Sequence, residues 1–408
     1  MSEIASSPGE GEPPQPRQVF ANFQFELYAQ GLADQRPQLP VLARDLEERA
    51  RESLTQEAFG YVAGGAGSEL TMAANLRAFE RWEIVPRMLR DVSERNLATS
   101  VLGTEMAAPV LLAPIGVQSI VHPEGELAVG RAAAAHGLAP ILSTAASHSL
   151  EDVAAAMEAT HPASRWYQLY WPTDRDLAAS FVARAEAAGY EAIVVTLDTW
   201  LLGWRPRDLA NAYLPFLKGE GVANYFSDPV FRSALAKTPD EDPGSAIGHW
   251  AYQFANPRVT WADLAWLREQ TALPIVLKGI LHSDDARLAL DAGVDGLIVS
   301  NHGGRQVDGS IGALDALPAV REAVGAQFPV LFDSGIRTGA DIFKALALGA
   351  DAVCLGRPFV WGLGLDGQVG VEFVLRCLLA ELDLTLALSG YTDIAQVDRS
   401  ALCRTASA

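Results

Sequence analysis

The sequence predicts a single α/β domain built as a (β/α)8 TIM barrel, and three observations lead there. Eight short apolar runs follow Ala108: Val110–Ala113, Pro140–Ser143, Trp166–Leu169, Ala192–Thr196, Pro274–Lys278, Gly296–Ser300, Val330–Asp333 and Ala352–Leu355. Each has the length and continuous hydrophobicity of a parallel strand buried on both faces. Longer amphipathic stretches separate them, among them Glu124–His136, Asp174–Ala188, Asp284–Ala292 and Gly339–Leu348. No G-x-G-x-x-G fingerprint follows the first run, which favours a closed barrel over an open doubly wound sheet.

Residues 1–19 are rich in Pro, Gly, Ser and Glu and predict a disordered tail, leaving residues 20–408 as the barrel domain. An N-terminal helical segment comes first: Val41–Ala63 mixes apolar and charged positions at helical spacing and ends in the turn Ala63-Gly64-Gly65-Ala66-Gly67. Within the repeat, Ser149/Asp152, Thr173/Asp176, Thr260/Asp263 and Thr338/Asp341 fit the Ser/Thr-x-x-acid capping pattern at helix starts. Gly137, Gly189, Gly293 and Gly349 mark helix ends, where glycine tolerates the left-handed closing turn. One spacing breaks the rhythm. A long insertion with several Pro, Gly and aromatic residues separates Thr196 from Thr260. Loops after strands lie on the active-site face of a barrel, so residues 209–258 read as a lid, with a subunit contact as the competing explanation.

Composition narrows the function classes. The 408 residues are 49% hydrophobic, enough for a large core, and 31 basic against 50 acidic residues give a net charge of −19. So acidic a chain is a poor partner for nucleic acid or an anionic membrane. No run is long and apolar enough for a membrane span, and the acidic N-terminus lacks a signal-peptide pattern. Cys354, Cys377 and Cys403 form no CxxC pair and no metal-ligand spacing. That argues against a disulfide scaffold or a metal site, and the expected location is the cytoplasm.

In a barrel the residues that follow the strands converge on one mouth. Here they are Ser143, Gln168 with Tyr170, Thr196 with Asp198, Lys278, Ser300 with His302 and Arg305, Asp333 with Arg337, and Gly356 with Arg357. The first run ends instead in Pro114-Ile115-Gly116. Singly, a Ser or Thr here satisfies backbone and an Arg is a surface charge. Together they form a ring suited to a polar, anionic ligand. The run Asp333-Ser334-Gly335-Ile336-Arg337 and the pair Gly356-Arg357 follow the last two strands, where this fold recurrently binds phosphate. Whether a substrate or a cofactor carries that phosphate is not encoded there. His302 is the candidate base, because imidazole titrates near neutrality, with Asp198 placed to orient it; the ordinary alternative is a structural histidine bonded to a loop.

These motifs carry a resemblance. Ser300-Asn301-His302-Gly303-Gly304-Arg305-Gln306, Ala113-Pro114-Ile115-Gly116, Gln168-Leu169-Tyr170 and Thr196-Leu197-Asp198 resemble the FMN-dependent 2-hydroxy acid oxidases and dehydrogenases. That family includes glycolate oxidase, lactate oxidase and mandelate dehydrogenase, and the likeness runs from about Phe25 to Leu402. Within it the chain looks most similar to lactate 2-monooxygenase, through Gly203-Trp204-Arg205-Pro206-Arg207-Asp208-Leu209, Asn224-Tyr225, Asp228-Pro229-Val230-Phe231 and the long insertion. It departs in its acidic Pro-rich tail and at Asp308, which keeps the common family pattern where the monooxygenase is expected to differ.

The resemblance implies FMN as cofactor, a small L-2-hydroxy acid and O2 as reactants, and a homotetramer or homo-octamer. It implies His302 as base, paired with Asp198, and Arg205 and Arg305 on the substrate carboxylate, aided by Tyr61. Tyr170 would contact the substrate and Lys278 the N1/O2 edge of the flavin. Pro114, Ile115 and Gly116 would pass beside the ring. Ser143, Gln168, Thr196 and Ser300 would bond the ring or ribityl chain. Asp333, Ser334, Gly335, Arg337, Gly356 and Arg357 would hold ribityl and phosphate. Gly116 would leave room for oxygen beside bound product, so lactate would end as acetate, CO2 and water. Competing outcomes are release of keto acid and peroxide, electron transfer to a quinone, a non-redox FMN isomerase, or an inactive scaffold.

Overall fold

The computed structural model describes residues 19–161 and 163–405; apart from Val19, the tail expected over residues 1–19 lies outside them. Every apolar run becomes a strand: β1 Val110–Leu112, β2 Ala139–Ser143, β3 Trp166–Leu169, β4 Ile193–Thr196, β5 Ile275–Ile280, β6 Gly296–Val299, β7 Val330–Asp333 and β8 Ala352–Leu355. They pair in parallel in chain order, and β8 closes on β1 with Cys354 opposite Leu111. The runs are apolar throughout because both faces are covered. Leu111, Ile141, Trp166, Val194, Val276, Ile298, Leu331 and Cys354 form an inner cluster. Their neighbours, such as Leu112, Leu142, Val195 and Leu277, join the outer core. Val101 and Met106 also belong to the inner cluster, so the hairpin Thr99–Val101/Thr104–Met106 plugs one end of the barrel, where Thr104 Oγ1 accepts from Trp166 Nε1 at 2.8 Å. The strand ends that carry polar residues form the opposite mouth.

The helices follow the expected pattern with three local corrections, the first at Thr260, which does not cap: its N–H and hydroxyl both donate to Asp263, and the helix Asp263–Gln270 starts after Ala262 without a side-chain cap. Thr338 and Asp341 make a full capping box, and Ser149 accepts from Asp152 N–H. The glycines at 137, 189, 293 and 349 all adopt positive φ. At 173–176, however, Asp174 is the cap, because its carboxylate reaches Asp176 N–H while the Thr173 hydroxyl donates to the Tyr252 carbonyl. The Val41–Ala63 stretch is likewise two helices, Ala43–Ser53 and Gln56–Ala63; extended Leu54 and Thr55 separate them, and Thr55 caps the second.

The insertion is folded, not open. It contains short helices at Pro206–Ala210, Ala223–Phe226 and Pro229–Ser233 and a longer one at Pro243–Phe254. Phe216, Tyr225, Phe231 and Trp250 are buried and form a chain of ring contacts, with Phe216 and Trp250 5.1 Å apart. Burying each such ring contributes roughly 1.5–3 kcal/mol. Asp228, fully buried, accepts from Ser180 Oγ at 2.8 Å and from Arg184 Nη1 at 3.0 Å, tying the insertion to the helix Arg175–Ala187.

Candidate active site

The barrel mouth holds a cleft of about 860 Å3, measured out to its open side. Its walls include Tyr61, Pro114, Ile115, Gly116, Ser143 and Tyr170. Arg205, Lys278, His302, Arg305, Asp333, Gly356 and Arg357 complete the polar lining. The sequence-predicted residues thus converge, from the helix Gln56–Ala63, the first turn of the insertion and seven of the strand ends. Asp198, Gln168, Thr196, Ser300 and Ser334 sit directly behind that lining.

His302 follows β6 in a left-handed conformation, φ 59°, that a residue with a Cβ adopts only when its surroundings compel it. The compulsion is visible. Ser300 Oγ accepts from His302 N–H at 3.0 Å, and Ser334 Oγ, itself on a residue at φ 93°, accepts from Gly303 N–H at 3.0 Å. This turn aims the ring at β4, where Nδ1 donates to Asp198 Oδ1 at 2.7 Å. The Nδ1–H assignment follows from that carboxylate partner and leaves the Nε2 lone pair available. Thr199, which the sequence reading passed over, sits 3.0 Å from His302 Nδ1 and donates to Asp198 Oδ1 at 2.9 Å. Its only signal was adjacency to Asp198.

Burial lowers the His302 pKa below its ordinary value, and Asp198 only partly restores it, so the ring is neutral at pH 7 and able to accept a proton. Burial pushes the Asp198 carboxyl up, but His302 and Lys278 outweigh it and hold it at about 2. Lys278 would be discharged by burial alone. Asp333, 3.3 Å away, and Asp198, 4.0 Å away, reverse that and keep it charged, while its Nζ donates to Ser300 Oγ at 3.0 Å. Tyr170 is raised to about 12 by burial and by Asp198, so its hydroxyl stays a donor.

The arginines differ. Arg305 lies over the Tyr61 ring, 5.0 Å from its centroid, and donates to the Tyr61 and Gly64 carbonyls. Arg205 donates to the Arg305 carbonyl at 3.1 Å and to Gln306 Oε1 at 2.6 Å. Arg357 reaches only the carbonyls of Val62, Gly64 and Gly303 and the sulfur of Met72. Among the described residues none of the three is ion-paired to a carboxylate. Burial and the neighbouring Arg205 push Arg305 down to about 10; burial with Arg305 and Arg337 pushes Arg357 down to about 9. Both remain charged at pH 7 without an ion-paired carboxylate among the described residues, which is the electrostatic signature of a place for anions.

The residues present fit a flavin nucleotide on two further observations. Gln168 Nε2 and Thr196 Oγ1, both buried at strand ends, have no hydrogen-bond partner among the described residues. Gln168 Oε1 accepts from Ser143 Oγ at 2.8 Å, which turns the unpartnered amide N–H2 the other way.

Three expectations are modified. Arg337 does not line the cleft: its guanidinium bonds its own Ile336 carbonyl at 2.9 Å and borders a groove beside the helix Ala43–Ser53. Gly335 packs against Asn75 and Phe79. Gly116 does line the cleft, but a Cβ there would sit 2.7 Å from the Ala145 carbonyl oxygen and 3.0 Å from its Cβ. The missing side chain therefore lets the β1 loop pack on the β2 loop; it does not simply leave space for oxygen. Phe216 and Phe254 from the insertion also line the cleft, and the Phe254 ring packs tilted against Tyr170 with centroids 5.1 Å apart. The sequence reading named neither.

A barrel mouth with a neutral His–Asp base beside uncompensated guanidinium groups defines an enzyme that activates a small anionic molecule next to a phosphate-bearing group. The FMN-dependent dehydrogenase family model matches residues 50–404, and the chain belongs to that family. It is therefore an FMN-dependent oxidoreductase. It is 46% identical over 369 residues to an L-lactate oxidase from Lysinibacillus sphaericus, covering 90% of this chain and 94% of that one. It is 44% identical to an FMN-dependent alpha-hydroxy acid dehydrogenase from Penicillium citrinum, covering 94% and 96%. Its fold matches crystal structures of mandelate oxidase; one superposes with a TM-score of 0.78 at 39% identity, covering 90% of this chain and all of the other.

Proposed function

We propose that the enzyme oxidises L-lactate or a similarly small L-2-hydroxy acid with O2, and that the keto acid is decarboxylated before it leaves. The observation that carries this reading is the placement of Arg205 and Arg305 beside the His302–Asp198 pair in one cleft roofed by Phe216 and Phe254. The two guanidinium groups bind the substrate carboxylate and fix the C–H bond in place. His302 Nε2 takes a proton from the substrate, and Asp198 stabilises the imidazolium that results. Tyr170 donates to the substrate oxygen. FMN, when bound, would supply the two-electron redox chemistry, with O2 as the final acceptor reduced to peroxide.

Ser143, Gln168, Thr196 and Ser300 would hold its ring and ribityl chain, with Pro114, Ile115 and Gly116 beside the ring and Lys278 toward its N1/O2 edge. Asp333, Ser334, Gly356 and Arg357 would hold ribityl and phosphate. Arg337, outside the cleft, adds positive potential at Arg357. Pyruvate retained under the aromatic roof reacts with peroxide to give acetate, CO2 and water, so lactate and O2 balance against those three products.

Product analysis with L-lactate in air tests this. Acetate and CO2 equal to the lactate consumed are expected, with little free peroxide. Equal pyruvate and peroxide would overturn the decarboxylation and leave an oxidase. That second reading has its own support: Asp308, the common family residue, accepts from the backbone N–H groups of Ser68 and Leu70, and relatives named L-lactate oxidase are 45–46% identical.

A further inference from the structure

The insertion reaches the cleft at a second place besides its aromatic roof. Asn224, fully buried in the short helix Ala223–Phe226, donates through Nδ2 to the Ser143 carbonyl at 3.2 Å and the Thr144 carbonyl at 3.1 Å. Its Oδ1 accepts from Leu150 N–H at 2.9 Å. Ala223 N–H adds a bond to the Ala146 carbonyl at 3.1 Å. The stretch 143–150 runs from the end of β2 to the start of the next helix, and Ser143 and Ala145 are part of the cleft wall.

The same stretch is held from its other side. Buried Glu126 accepts through one oxygen from Gln118 N–H at 3.0 Å and Ser147 N–H at 3.1 Å, joining the β2 loop to the β1 loop. Val117 N–H bonds the Ala145 carbonyl at 2.8 Å, and the Cα of Gly116 faces that same carbonyl. Ala145 is thus clamped between the β1 loop and the insertion.

We propose that Asn224 is a positioning residue for the flavin pocket: it braces the Ser143–Ala146 wall, and through Ala145 it sets where Gly116 lies. The insertion then acts as a fixed buttress at this point, not as a swinging lid. Two observations favour this over a merely local role. The Asn224 amide satisfies two successive carbonyls at a strand end that would otherwise be buried and unpaired. The Ser143 it holds also carries the hydroxyl that orients Gln168, whose buried amide N–H2 has no partner among the described residues. The proposal rests on the reading of this cleft as the FMN site.

The test compares Asn224→Ala with Asp228→Asn, which weakens the anchor of the insertion at the Arg175–Ala187 helix, where Arg184 bonds both Asp228 and the Asn224 carbonyl, but leaves the Asn224 side-chain bonds to the wall in place. FMN affinity is measured by titrating apoenzyme, together with the visible absorption of the holoenzyme and the ratio of acetate to pyruvate. Losing two to three buried hydrogen bonds at the wall is expected to weaken FMN binding about tenfold, shift the flavin absorption and lower the acetate share in Asn224→Ala. Asp228→Asn should lower thermal stability and leave all three readouts unchanged. Wild-type values for Asn224→Ala, or equal changes in both variants, would overturn the brace.

If Asn224→Ala does not fold, hydrogen exchange on the wild-type decides. FMN should slow exchange at Leu150 and Ala223 N–H but not at Val230, whose N–H is capped by Asp228; unchanged protection at Leu150 and Ala223 overturns the proposal. Arg357→Gln separates the two failures. If it too leaves FMN affinity unchanged, the cleft assignment falls and the brace with it; if it alone weakens FMN, only the brace falls.

Discussion

The charged residues of the cleft divide into two halves by how their charge is answered. In one half each charge has its answer inside the protein: Lys278 faces Asp333 and Asp198, and Asp198 faces His302. In the other, Arg205, Arg305 and Arg357 bond only to carbonyl oxygens, a glutamine and a sulfur among the described residues. The first half is complete and tunes protonation. The second is incomplete and gains its counter-charge only when an anion arrives. The proposed function assigns chemistry to the compensated half and binding to the uncompensated one, so changes in each should fail differently.

The largest failure belongs to the compensated half. His302→Ala removes the base but leaves the guanidinium groups untouched, so kcat should fall by about 10²- to 10⁴-fold while FMN content and substrate binding persist. A stopped-flow measurement of flavin reduction by lactate checks this; a rate near wild type would end the assignment of His302. On the other side, Arg205→Lys keeps the charge but loses the planar fork, and kcat/KM should drop by about 10²-fold. Arg357→Gln should weaken FMN by about 10- to 100-fold, as expected for losing a charge-assisted contact, without changing the pH dependence of the holoenzyme. An effect of Arg357→Gln on substrate KM alone would erase the proposed division of the cleft.

The pH profile sharpens the comparison further. A base works in its neutral form, so kcat/KM should fall as pH drops through the His302 pKa, which burial places below the ordinary histidine value. Asp198 raises that pKa, so Asp198→Asn should move the acid limb to lower pH while also cutting the rate through lost orientation. A limb that moves to higher pH would contradict the electrostatic account. Arg305→Lys should leave the limb nearly in place.

The barrel was legible because its signal is physical and repeated: strands buried on both faces must be apolar throughout, and helices must end where the chain turns back. The ring of site residues was legible because barrel topology sends all strand ends to one mouth. What escaped depends on partners distant in sequence. Thr199 has nothing in its own identity to mark it, and its value comes from His302. Phe216 and Phe254 lie in a segment without periodicity whose shape is set by its own aromatic core. The Thr173 cap lost to Asp174 because Tyr252 took the threonine hydroxyl. Arg337 matched the phosphate pattern in type and position, yet its rotamer turns along its own loop.

Gly116 shows how much such a partner alters a reading, and it yields the subtlest test. If its role were only to leave room for oxygen, Gly116→Ala would change oxygen chemistry and nothing else. The Ala145 carbonyl 2.7 Å from the added Cβ makes a different demand, because a backbone oxygen moves only if the loop moves. Glu126 and Asn224 hold that loop from both sides, so the strain is not dissipated locally. Gly116→Ala should therefore cost about 1–3 kcal/mol of stability, the usual range for overpacking a well-filled site. It should also shift product partition toward pyruvate and peroxide as the wall is displaced. The double variant Gly116→Ala/Asn224→Ala distinguishes strain from simple crowding. With the brace gone the loop is free to yield, so the second substitution should cost less in the presence of the first than in its absence, a non-additivity measurable by denaturant unfolding. Strict additivity would mean that Gly116 and Asn224 do not act on the same wall.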